Sequence, residues 1–359
     1  MSGIWMYGDR TVDGRALTPQ ERDARPLVGA VDEPPTHDVV SRDPRVCRFR
    51  GWVASAADLP TKVVVRIDGG PPLEFDADRA RPEVAEAVEL AGPARGFHFY
   101  VDLPEDTGGA VPVVLELTDG EVIAQTDPFH VRLERVAKPP RAAYGQVWDS
   151  VSEDLEHAKL AVSGFTDEDT FALEADKTVR RLQRTVGIGR EDVVLEIGAG
   201  VGRVGSVLAP LCKKWIATDA SENMLRHTRE RLADFDNVET VPTNGWDLKP
   251  IPSECVDVVY CTVVFMHLDE WERFNYVREA MRVLRPGGRV YIDNFNLLGA
   301  EGWGVFRQVL DDLHPLDRPP NVSKASTPQE LETYLVRAGF ADVVVAGETL
   351  WVYAYGQKT

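Results

Sequence analysis

The sequence predicts an α/β fold in which a wound parallel sheet follows a smaller all-β domain. In the second half, apolar strands alternate with longer segments of helical periodicity, the pattern of a parallel sheet with crossover helices. In the first half, short strand-like segments follow one another through Gly- and Pro-containing turns, which is typical of a β-sandwich. Two consecutive prolines, Pro139-Pro140, separate the two patterns.

The first half contains an arm and a sandwich. Residues 1–45 are rich in Arg, Asp and Pro without sustained periodicity, so we interpret them as an extended N-terminal arm. Residues 46–136 form the predicted β-sandwich accessory domain, with turns at Asp68-Gly69-Gly70 and Asp119-Gly120 because glycine tolerates positive φ. One helical piece, Pro82–Val88, interrupts the strands. The predicted strands are Val46–Ala54, Lys62–Asp68, Gly96–Leu103, Val113–Thr118 and Val122–Leu133.

A linker and a second domain follow. Residues 137–143 are predicted to be a linker, because consecutive prolines stiffen the chain and end strand pairing. Residues 144–359 are the predicted α/β domain. Its predicted helices are Asp169–Val186, Ser221–Ala233, Asp269–Leu284 and one from Ser326 or Thr327 to near Gly339; its predicted strands are Val193–Ile197, Trp215–Thr218, Val256–Cys261, Arg289–Ile292, Val343–Val345 and Leu350–Tyr355.

Composition excludes several classes of partner. The 359 residues carry 40 Lys plus Arg against 58 Asp plus Glu, a net charge of −18, which argues against nucleic acid and against an anionic membrane surface. The four cysteines form no C-x-x-C pair, so a disulfide framework or zinc site is not expected. The N-terminus lacks the apolar stretch of a signal peptide, and the longest apolar run, Val258–Met266, is too short to cross a bilayer. We therefore expect a cytoplasmic protein.

A glycine turn marks the candidate site. The strand Val193–Ile197 runs directly into Gly198-Ala199-Gly200-Val201-Gly202, where glycine lets the backbone approach a ligand closely. A tight strand-to-helix turn needs glycine anyway, so this motif alone is equally consistent with a structural role. Asp219 ends the next apolar strand, 21 residues after Gly198, and such an acid is placed to meet ribose hydroxyls.

Five segments follow one another in the second half: Glu196–Gly202, the acid Asp219, Asn244–Leu248, Val256–Val259 and Arg282–Gly288. In this order they resemble the motifs of class I S-adenosylmethionine-dependent methyltransferases, over about residues 145–357. This resemblance implies a Rossmann-like fold with a seven-stranded, mostly parallel sheet, and S-adenosyl-L-methionine as the cofactor.

The resemblance also implies a role for each position in the cofactor site. The glycine turn would line the amino-acid end of the cofactor, with Glu196 orienting the turn, and Asp219 would accept from the ribose hydroxyls. Asn244 stands where the family usually has Asp; it would accept from the adenine amino group, or serve only as a turn residue. The positions implied in cofactor binding are Glu196, Gly198, Ala199, Gly200, Gly202, Asp219, Ala220, Asn244, Gly245, Trp246, Cys261 and Thr262.

The candidate catalytic residues follow the fourth and fifth strands. An alcohol acceptor must lose its proton during methyl transfer, and His267 lies at the strand edge where the methyl group is expected. Its alternative role is a histidine that packs at a helix start. Asp293 is a second candidate at the same edge. No metal is predicted, because Asn294 rather than a second acid follows Asp293.

The acceptor is the least determined part of the prediction. Arg50-Gly51-Trp52-Val53 and neighbouring segments of the first half look like β-sandwich modules attached to bacterial glycosyltransferases, which favours a saccharide or glycosylated metabolite. A phenolic, lipid or polyketide hydroxyl is the alternative acceptor. A non-catalytic glycan-binding or assembly protein is the alternative from another class. The sequence does not decide whether the chain forms a homo-oligomer, or whether the sandwich serves only as a scaffold.

Overall fold

The protein divides into two compact units in a computed structural model. The structure describes residues 4–5, 27–33, 39–41, 46–55, 62–82, 94–102, 110–118, 122–125, 129–133, 144–315 and 318–359. The first unit comprises residues 1–137 and, from far along the chain, 312–318; the second comprises residues 138–311 and 319–359. Most of the predicted arm, most of the predicted helix Pro82–Val88 and the predicted linker lie outside the described residues.

The first unit contains two β-sheets. One sheet has the order β1-β2-β4-β8-β7 and the other the order β3-β11-β9-β5-β6, with β10 also paired to β9. The predicted single strand Val122–Leu133 is wrong, because it is two separate strands that both pair with β9. The strands are β1 (Ile4–Trp5), β2 (Leu27–Glu33), β3 (Val39–Ser41), β4 (Val46–Ser55), β5 (Lys62–Ile67), β6 (Leu73–Asp76), β7 (Arg79–Ala80), β8 (Ala94–Asp102), β9 (Ala110–Thr118), β10 (Val122–Gln125) and β11 (Phe129–Leu133).

The core of the first unit comes from the alternating side chains of β4, β5, β8 and β9. Successive residues of a strand point to opposite faces, so every second residue can be buried against the other sheet. Phe49 and Phe99 stack with ring centroids 5.5 Å apart, and Phe75 stacks on Phe99 at 3.9 Å. Two sheets that share such a core make the sandwich expected from the turn pattern.

The second unit is a mixed sheet flanked by helices. The sheet order is β14-β13-β12-β15-β16-β19-β18, and β17 pairs with β16 off this path. It therefore has eight strands rather than the predicted seven, the additional one being only two residues long. The elements are β12 (Val193–Ile197), β13 (Lys214–Asp219), β14 (Val238–Pro242), β15 (Val256–Cys261), β16 (Leu284–Asn296), β17 (Ala325–Ser326), β18 (Ala341–Gly347), β19 (Trp351–Gln357), α1 (Tyr144–Ser150), α2 (Leu155–Ser163), α3 (Glu168–Thr185), α4 (Gly205–Leu208), α5 (Glu222–Arg231), α6 (Glu270–Val283), α7 (Ala300–Asp312) and α8 (Pro328–Ala338).

Strand direction gathers the candidate site at one edge. β12 pairs in parallel with β13 and with β15, and β15 pairs in parallel with β16, so the carboxyl ends of these strands meet on one side. β19 runs antiparallel to both β16 and β18. In open α/β sheets, ligands bind outside the carboxyl ends of the strands where the order reverses, which here lies beside β12.

The connection after β16 contains two elements that the sequence did not predict, α7 and β17. The aromatic residues Trp303 and Phe306 lie three positions apart on α7 and stack with ring centroids 5.3 Å apart. Among the described residues, no helix is long and apolar enough to cross a membrane.

Candidate active site

A cavity lies at the carboxyl ends of β12, β13 and β15. The space that no protein atom occupies, the open mouth included, is about 810 Å³. Its walls come from the turns after these strands and from helices α1 and α2. The lining residues are Tyr144, Trp148, Val162, Glu196, Ile197, Gly198, Ala199, Gly200, Arg203, Val204, Asp219, Ala220, Met224, Thr243, Gly245, Thr262, Val263, Val264, His267, Leu268 and Tyr276.

The glycine turn forms the floor of this cavity. Gly198 has φ +71°, and a side chain on it would collide with Val264. Gly200, with φ +57°, also lines the cavity. Gly202 has φ +77° but does not line the cavity; the space beside it is filled by Thr228 and Leu232. Two of the three glycines therefore keep backbone exposed to a ligand, and the third allows the turn to pack on its neighbours.

Asp219 joins the glycine turn to the next strand. Its carboxylate accepts hydrogen bonds from the backbone N–H groups of Gly200 and Ser221, each at 2.9 Å. Burial raises the pKa of Asp219 to about 6, against the lowering effect of these backbone donors. A carboxylate oxygen accepts more than one hydrogen bond, so both oxygens keep capacity toward a ligand in the cavity.

Glu196 is a buried acid beneath the glycine turn. Tyr260 donates its hydroxyl proton to Glu196 at 2.5 Å, and Trp215 in turn donates to the Tyr260 oxygen at 2.9 Å. Burial raises the pKa of Glu196 to about 8, although the Tyr260 hydrogen bond opposes this shift. The Glu196 carboxyl is therefore mostly protonated at neutral pH, and it adds little negative charge to the wall of the cavity.

Arg203 is a lining residue to which the sequence analysis gave no role. Burial lowers the pKa of its guanidinium, while Glu196, Asp293 and Glu174 raise it. Its guanidinium also lies 6.0 Å from the ring centre of Phe171. An arginine stays protonated in proteins, so the cavity contains a cation at its glycine-turn end. The sequence feature that could have pointed to Arg203 is its position directly after the glycine turn.

The wall predicted to hold the adenine is only partly formed by the predicted residues. Ala220 and Gly245 line the cavity, together with Thr243, which the sequence did not single out. Asn244 and Trp246 do not line it. The Asn244 oxygen accepts the backbone N–H groups of Trp246 and Asp247, both at 3.0 Å. The geometry thus favours the turn role for Asn244 over adenine recognition.

The turn after β15 closes the opposite side of the cavity. Thr262 lines the cavity, but Cys261 is fully buried in the core and does not. Burial raises the pKa of the Cys261 thiol well above its usual value. Val263 has φ +62°, a conformation that costs a β-branched residue energy and is found mainly where surrounding structure imposes it.

Asp293 stabilises the positive-φ conformation of Val263. Its carboxylate accepts the backbone N–H of Val263 at 2.9 Å, and the Tyr291 hydroxyl lies 3.4 Å away. Asp293 was predicted to act on the acceptor, but it is buried and is absent from the cavity wall, so the structure does not bring it to the acceptor side. Burial raises its pKa to about 6. Asp293 is a positioning residue for the turn that bears Thr262 and Val263.

His267 lies on the cavity wall, as predicted for the candidate base. Its Nδ1 is 2.7 Å from the backbone oxygen of Asn321. A carbonyl only accepts hydrogen bonds, so Nδ1 carries the proton and Nε2 has a free lone pair when the ring is neutral. Burial lowers the pKa of His267 to about 4, with Lys324 lowering it further. The ring is therefore neutral at physiological pH.

Helix α1 supplies an aromatic wall beside His267. The Trp148 ring lies edge-on to the His267 ring with centroids 4.8 Å apart, and Tyr144 donates to the His267 backbone oxygen at 2.6 Å. The Ser221 hydroxyl donates to Asp149 at 2.6 Å, which fixes α1 to the start of α5. Across the described residues, no group of three or more His, Cys, Asp or Glu side chains is arranged to hold a metal ion.

Part of the chain is similar to known methyltransferases. Residues 195–292 match the family model described as a methyltransferase domain. A probable S-adenosylmethionine-dependent methyltransferase of Mycobacterium tuberculosis is 32% identical over 154 residues, 43% of this chain and 50% of that protein. A demethylmenaquinone methyltransferase of Clavibacter sepedonicus is 37% identical over 40% of this chain and 61% of that protein. A malonyl-[acyl-carrier protein] O-methyltransferase of Methylococcus capsulatus is 26% identical over 44% and 54%.

The match to the family model lies within the α/β unit. The chain spans about half the length of the relatives it matches. The matched family segment begins within β12 and ends within β16, so it includes the glycine turn, Asp219 and His267.

Proposed function

We propose that this chain, whose residues 195–292 match a family model described as a methyltransferase domain, is a class I S-adenosylmethionine-dependent O-methyltransferase for a saccharide or glycosylated metabolite. One observation carries the proposal. The glycine turn with Asp219 and the neutral His267 ring line the same cavity, so cofactor and acceptor groups are served by one site. When bound there, S-adenosylmethionine supplies an electrophilic methyl group.

The residues around the glycine turn fit this cofactor. Gly198 and Gly200 line the cavity and have no side chains of their own, so their backbone can approach the cofactor closely. Asp219 accepts hydrogen bonds from the ribose hydroxyls, and Arg203 pairs with the carboxylate of the amino-acid end.

His267 removes the proton of the acceptor hydroxyl. With the cofactor held by the glycine turn, Asp219 and Arg203, its methyl group would go to the acceptor oxygen and its sulfur would keep the electron pair of the broken carbon–sulfur bond. Nε2 of His267 would take the hydroxyl proton. The hydrogen bond from Nδ1 to Asn321 persists in the protonated ring and holds its orientation. A positioned base of this kind contributes about 10²- to 10⁴-fold.

The saccharide class rests on two features. The first half of the chain looks like sandwich modules of glycosyltransferases, and Trp148 offers an aromatic surface beside His267 on which the C–H face of a sugar can pack. The net charge of −18 supports a small neutral acceptor rather than nucleic acid or an anionic membrane.

A phenolic hydroxyl is the second candidate, because of the basicity of His267. A pKa of about 4 makes His267 a weak base, and proton transfer to it is easier from a more acidic hydroxyl. Apolar lining residues such as Met224, Val264 and Leu268 also suit a flat aromatic acceptor. Lipid and polyketide hydroxyls fall in the same group.

A radiolabelled methyl donor tests the proposal directly. The full chain is incubated with labelled S-adenosylmethionine and a panel of mono- and oligosaccharides, glycosides and phenols, alongside the His267→Gln variant. We expect transfer to at least one neutral hydroxyl compound and its loss in the variant. Transfer to phenols alone would replace the saccharide proposal. Cofactor binding without transfer to any compound would favour the non-catalytic glycan-binding alternative.

A further inference from the structure

Arg273 is a buried cation on α6 to which the proposed reaction gives no role. It is 4% exposed, and its Nη2 nitrogen is buried without a hydrogen-bond partner within the described part of the chain. Replacing a buried ion pair by apolar residues of similar volume is often neutral or stabilising, so a buried charge alone is weak evidence for a role in stability. The hydrogen bonds that Arg273 does make indicate a different role.

The first of these hydrogen bonds holds the turn that carries the candidate base. Arg273 Nε donates to the backbone oxygen of Phe265 at 2.8 Å. Phe265 is the first residue of the short helical turn Phe265–His267, and His267 lies on the cavity wall. Arg273 therefore fixes the turn two residues before the ring that faces the acceptor.

The other two hydrogen bonds hold the chain around β17. Arg273 Nη1 donates to the Ser326 hydroxyl oxygen at 3.1 Å and to a Glu330 carboxylate oxygen at 2.8 Å. The Asn294 side-chain amide of β16 donates to the same Ser326 oxygen at 2.7 Å. Ser326 is thus fixed from two sides by buried polar groups, and Arg273 is one of them.

The segment that ends at Ser326 is also the one that orients the His267 ring. Five residues before Ser326, the Asn321 backbone oxygen accepts the hydrogen bond from His267 Nδ1 at 2.7 Å. Between them, the Lys324 backbone N–H donates to the Met266 oxygen at 2.8 Å. One guanidinium therefore bonds both to the turn that carries the donor of the ring hydrogen bond and to the segment that carries its acceptor. All of these residues lie in the α/β unit.

We propose that Arg273 is a positioning residue for methyl transfer: it fixes the turn Phe265–His267 to the segment 321–326, which keeps Nδ1 of His267 on the Asn321 oxygen and leaves Nε2 for the acceptor. The proposal rests on the proposed function, in which His267 takes the acceptor proton. Arg273 does not line the cavity, so it acts only through His267. The planar, forked guanidinium reaches acceptors in several fixed directions, which the single ammonium of lysine does not.

Nitrogen-15 NMR of the histidine rings in the full chain tests this proposal without an acceptor. A His267→Gln spectrum assigns the His267 signals, and in the wild type we expect a single tautomer protonated at Nδ1. Arg273→Lys keeps a charge beside Glu330 but cannot bond Phe265 and Ser326 together, so we expect a mixture of tautomers. Ser326→Ala removes one contact and keeps the bond to Phe265, so a smaller change in the same direction should appear.

The pKa of the His267 ring gives a second readout from the same spectra. Burial is the largest influence and lowers this pKa, with Lys324 acting in the same direction and the Asn321 hydrogen bond opposing. A loosened turn admits water to the ring, so in Arg273→Lys the pKa should rise by about one unit or more toward its ordinary value near 6.5. The affinity for S-adenosylhomocysteine should stay unchanged, because the glycine turn and Asp219 are not touched.

A matched control separates this role from general destabilisation. Arg289 of β16 likewise makes three hydrogen bonds: to the backbone oxygens of Val186 and Gly187, each at 2.9 Å, and to the Asp192 carboxylate at 2.8 Å. Asp192 directly precedes β12, so these bonds lie at the opposite edge of the sheet from the cavity. Arg289→Met should leave the His267 signals unchanged, whatever it does to the unfolding temperature.

The outcomes that would overturn the proposal are distinct from those that would overturn the proposed function. A wild-type tautomer and pKa of His267 in folded Arg273→Lys would refute the positioning role, and so would equal changes in Arg289→Met. If Arg273→Lys does not fold, Ser326→Ala decides, and unchanged His267 signals there would refute the role. Failure of the wild type to bind S-adenosylmethionine would refute the proposed function but leave this NMR result interpretable.

Discussion

At the scale of single residues, the tautomer of the His267 ring depends on one backbone oxygen, that of Asn321. The hydrogen bond to Asn321 leaves Nε2 as the only nitrogen that can take a proton from an acceptor. Burial lowers the pKa of the ring to about 4, so it is in the base form throughout the physiological range. An ordinary surface histidine, by contrast, loses its base form below about pH 6.5.

The pH dependence of turnover therefore tests His267. If His267 is the base, kcat/KM should show no limb from this group between about pH 5 and 7.5, and should fall only as the pH approaches about 4. The rate is measured with any acceptor found in the screen. A limb near pH 6.5 that disappears in His267→Gln would contradict the low pKa, and full activity of that variant would remove His267 as base.

Individual side-chain roles were only partly predictable from sequence. Asp219 and His267 lie on the cavity wall because strand ends fix the positions that follow them. Asn244 and Asp293 occupy similar positions, but they do not line the cavity, and their oxygens accept backbone N–H groups of nearby turns. Such local hydrogen bonds depend on the backbone path of each turn, which the residue order does not specify.

At the scale of elements, the glycine turn needs a positive φ, which residues other than glycine adopt only at an energetic cost. Gly198→Ala should destabilise the protein and abolish cofactor binding, because the new Cβ meets Val264 and the φ of +71° is unfavourable for alanine. Gly304 in α7 is the matched control, since nothing lies within 4 Å of a Cβ built there. Gly304→Ala should stabilise the protein by about 0.5–1 kcal/mol.

Thermal unfolding and calorimetric titration with S-adenosylhomocysteine report both effects. Adding Val264→Ala to Gly198→Ala removes the collision but not the backbone strain, so only part of the stability should return. Wild-type stability and affinity in Gly198→Ala would show that the turn does not have the geometry described.

Elements with clear periodicity were predicted better than short or irregular ones. The helix α6 and the strands β12 and β15 follow strong apolar patterns and lie where expected. β17 has two residues and pairs with β16 through tertiary contact, so no local pattern could reveal it. The break between β10 and β11 depends likewise on the pairing of both with β9.

At the scale of the whole molecule, three carboxyl groups with raised pKa values make stability depend on pH. Burial raises the pKa of Glu196 to about 8 and those of Asp219 and Asp293 to about 6. The folded state therefore binds protons more tightly than the unfolded state. Its stability falls as the pH rises from the ordinary carboxyl pKa of about 4 to these raised values. The loss is at most about 1.4 kcal/mol per pH unit for each proton involved.

Urea denaturation between pH 5.5 and 8 measures this effect. We expect the free energy of unfolding of the ligand-free protein to decrease with pH, and the decrease between pH 7 and 8 to flatten in Glu196→Gln, which keeps an acceptor for Tyr260 without ionising. Glu239→Gln, at an exposed ion pair with Lys214, is the control and should keep the wild-type slope. Equal slopes in wild type and Glu196→Gln would show that Glu196 does not ionise in this range.

The division into a sandwich and an α/β unit follows from turn chemistry and periodicity, which act over a few residues. The assignment of residues 312–318 to the sandwich does not, because it depends on contacts between positions more than 200 apart in sequence. The acceptor depends on side chains from several elements around His267 and Trp148, and no single motif encodes that combination.

Calorimetric titration of the full chain with S-adenosylmethionine and S-adenosylhomocysteine tests the central claim, that this cavity binds the cofactor through its glycine turn and Asp219. We expect one site per chain, and an affinity about 10- to 150-fold weaker in Asp219→Ala, since a charge-assisted hydrogen bond contributes about 1.5–3 kcal/mol. Asp176→Ala, at an exposed pair with Arg180, should bind as the wild type does. No binding by the wild type, or equal affinity in Asp219→Ala, would contradict the claim.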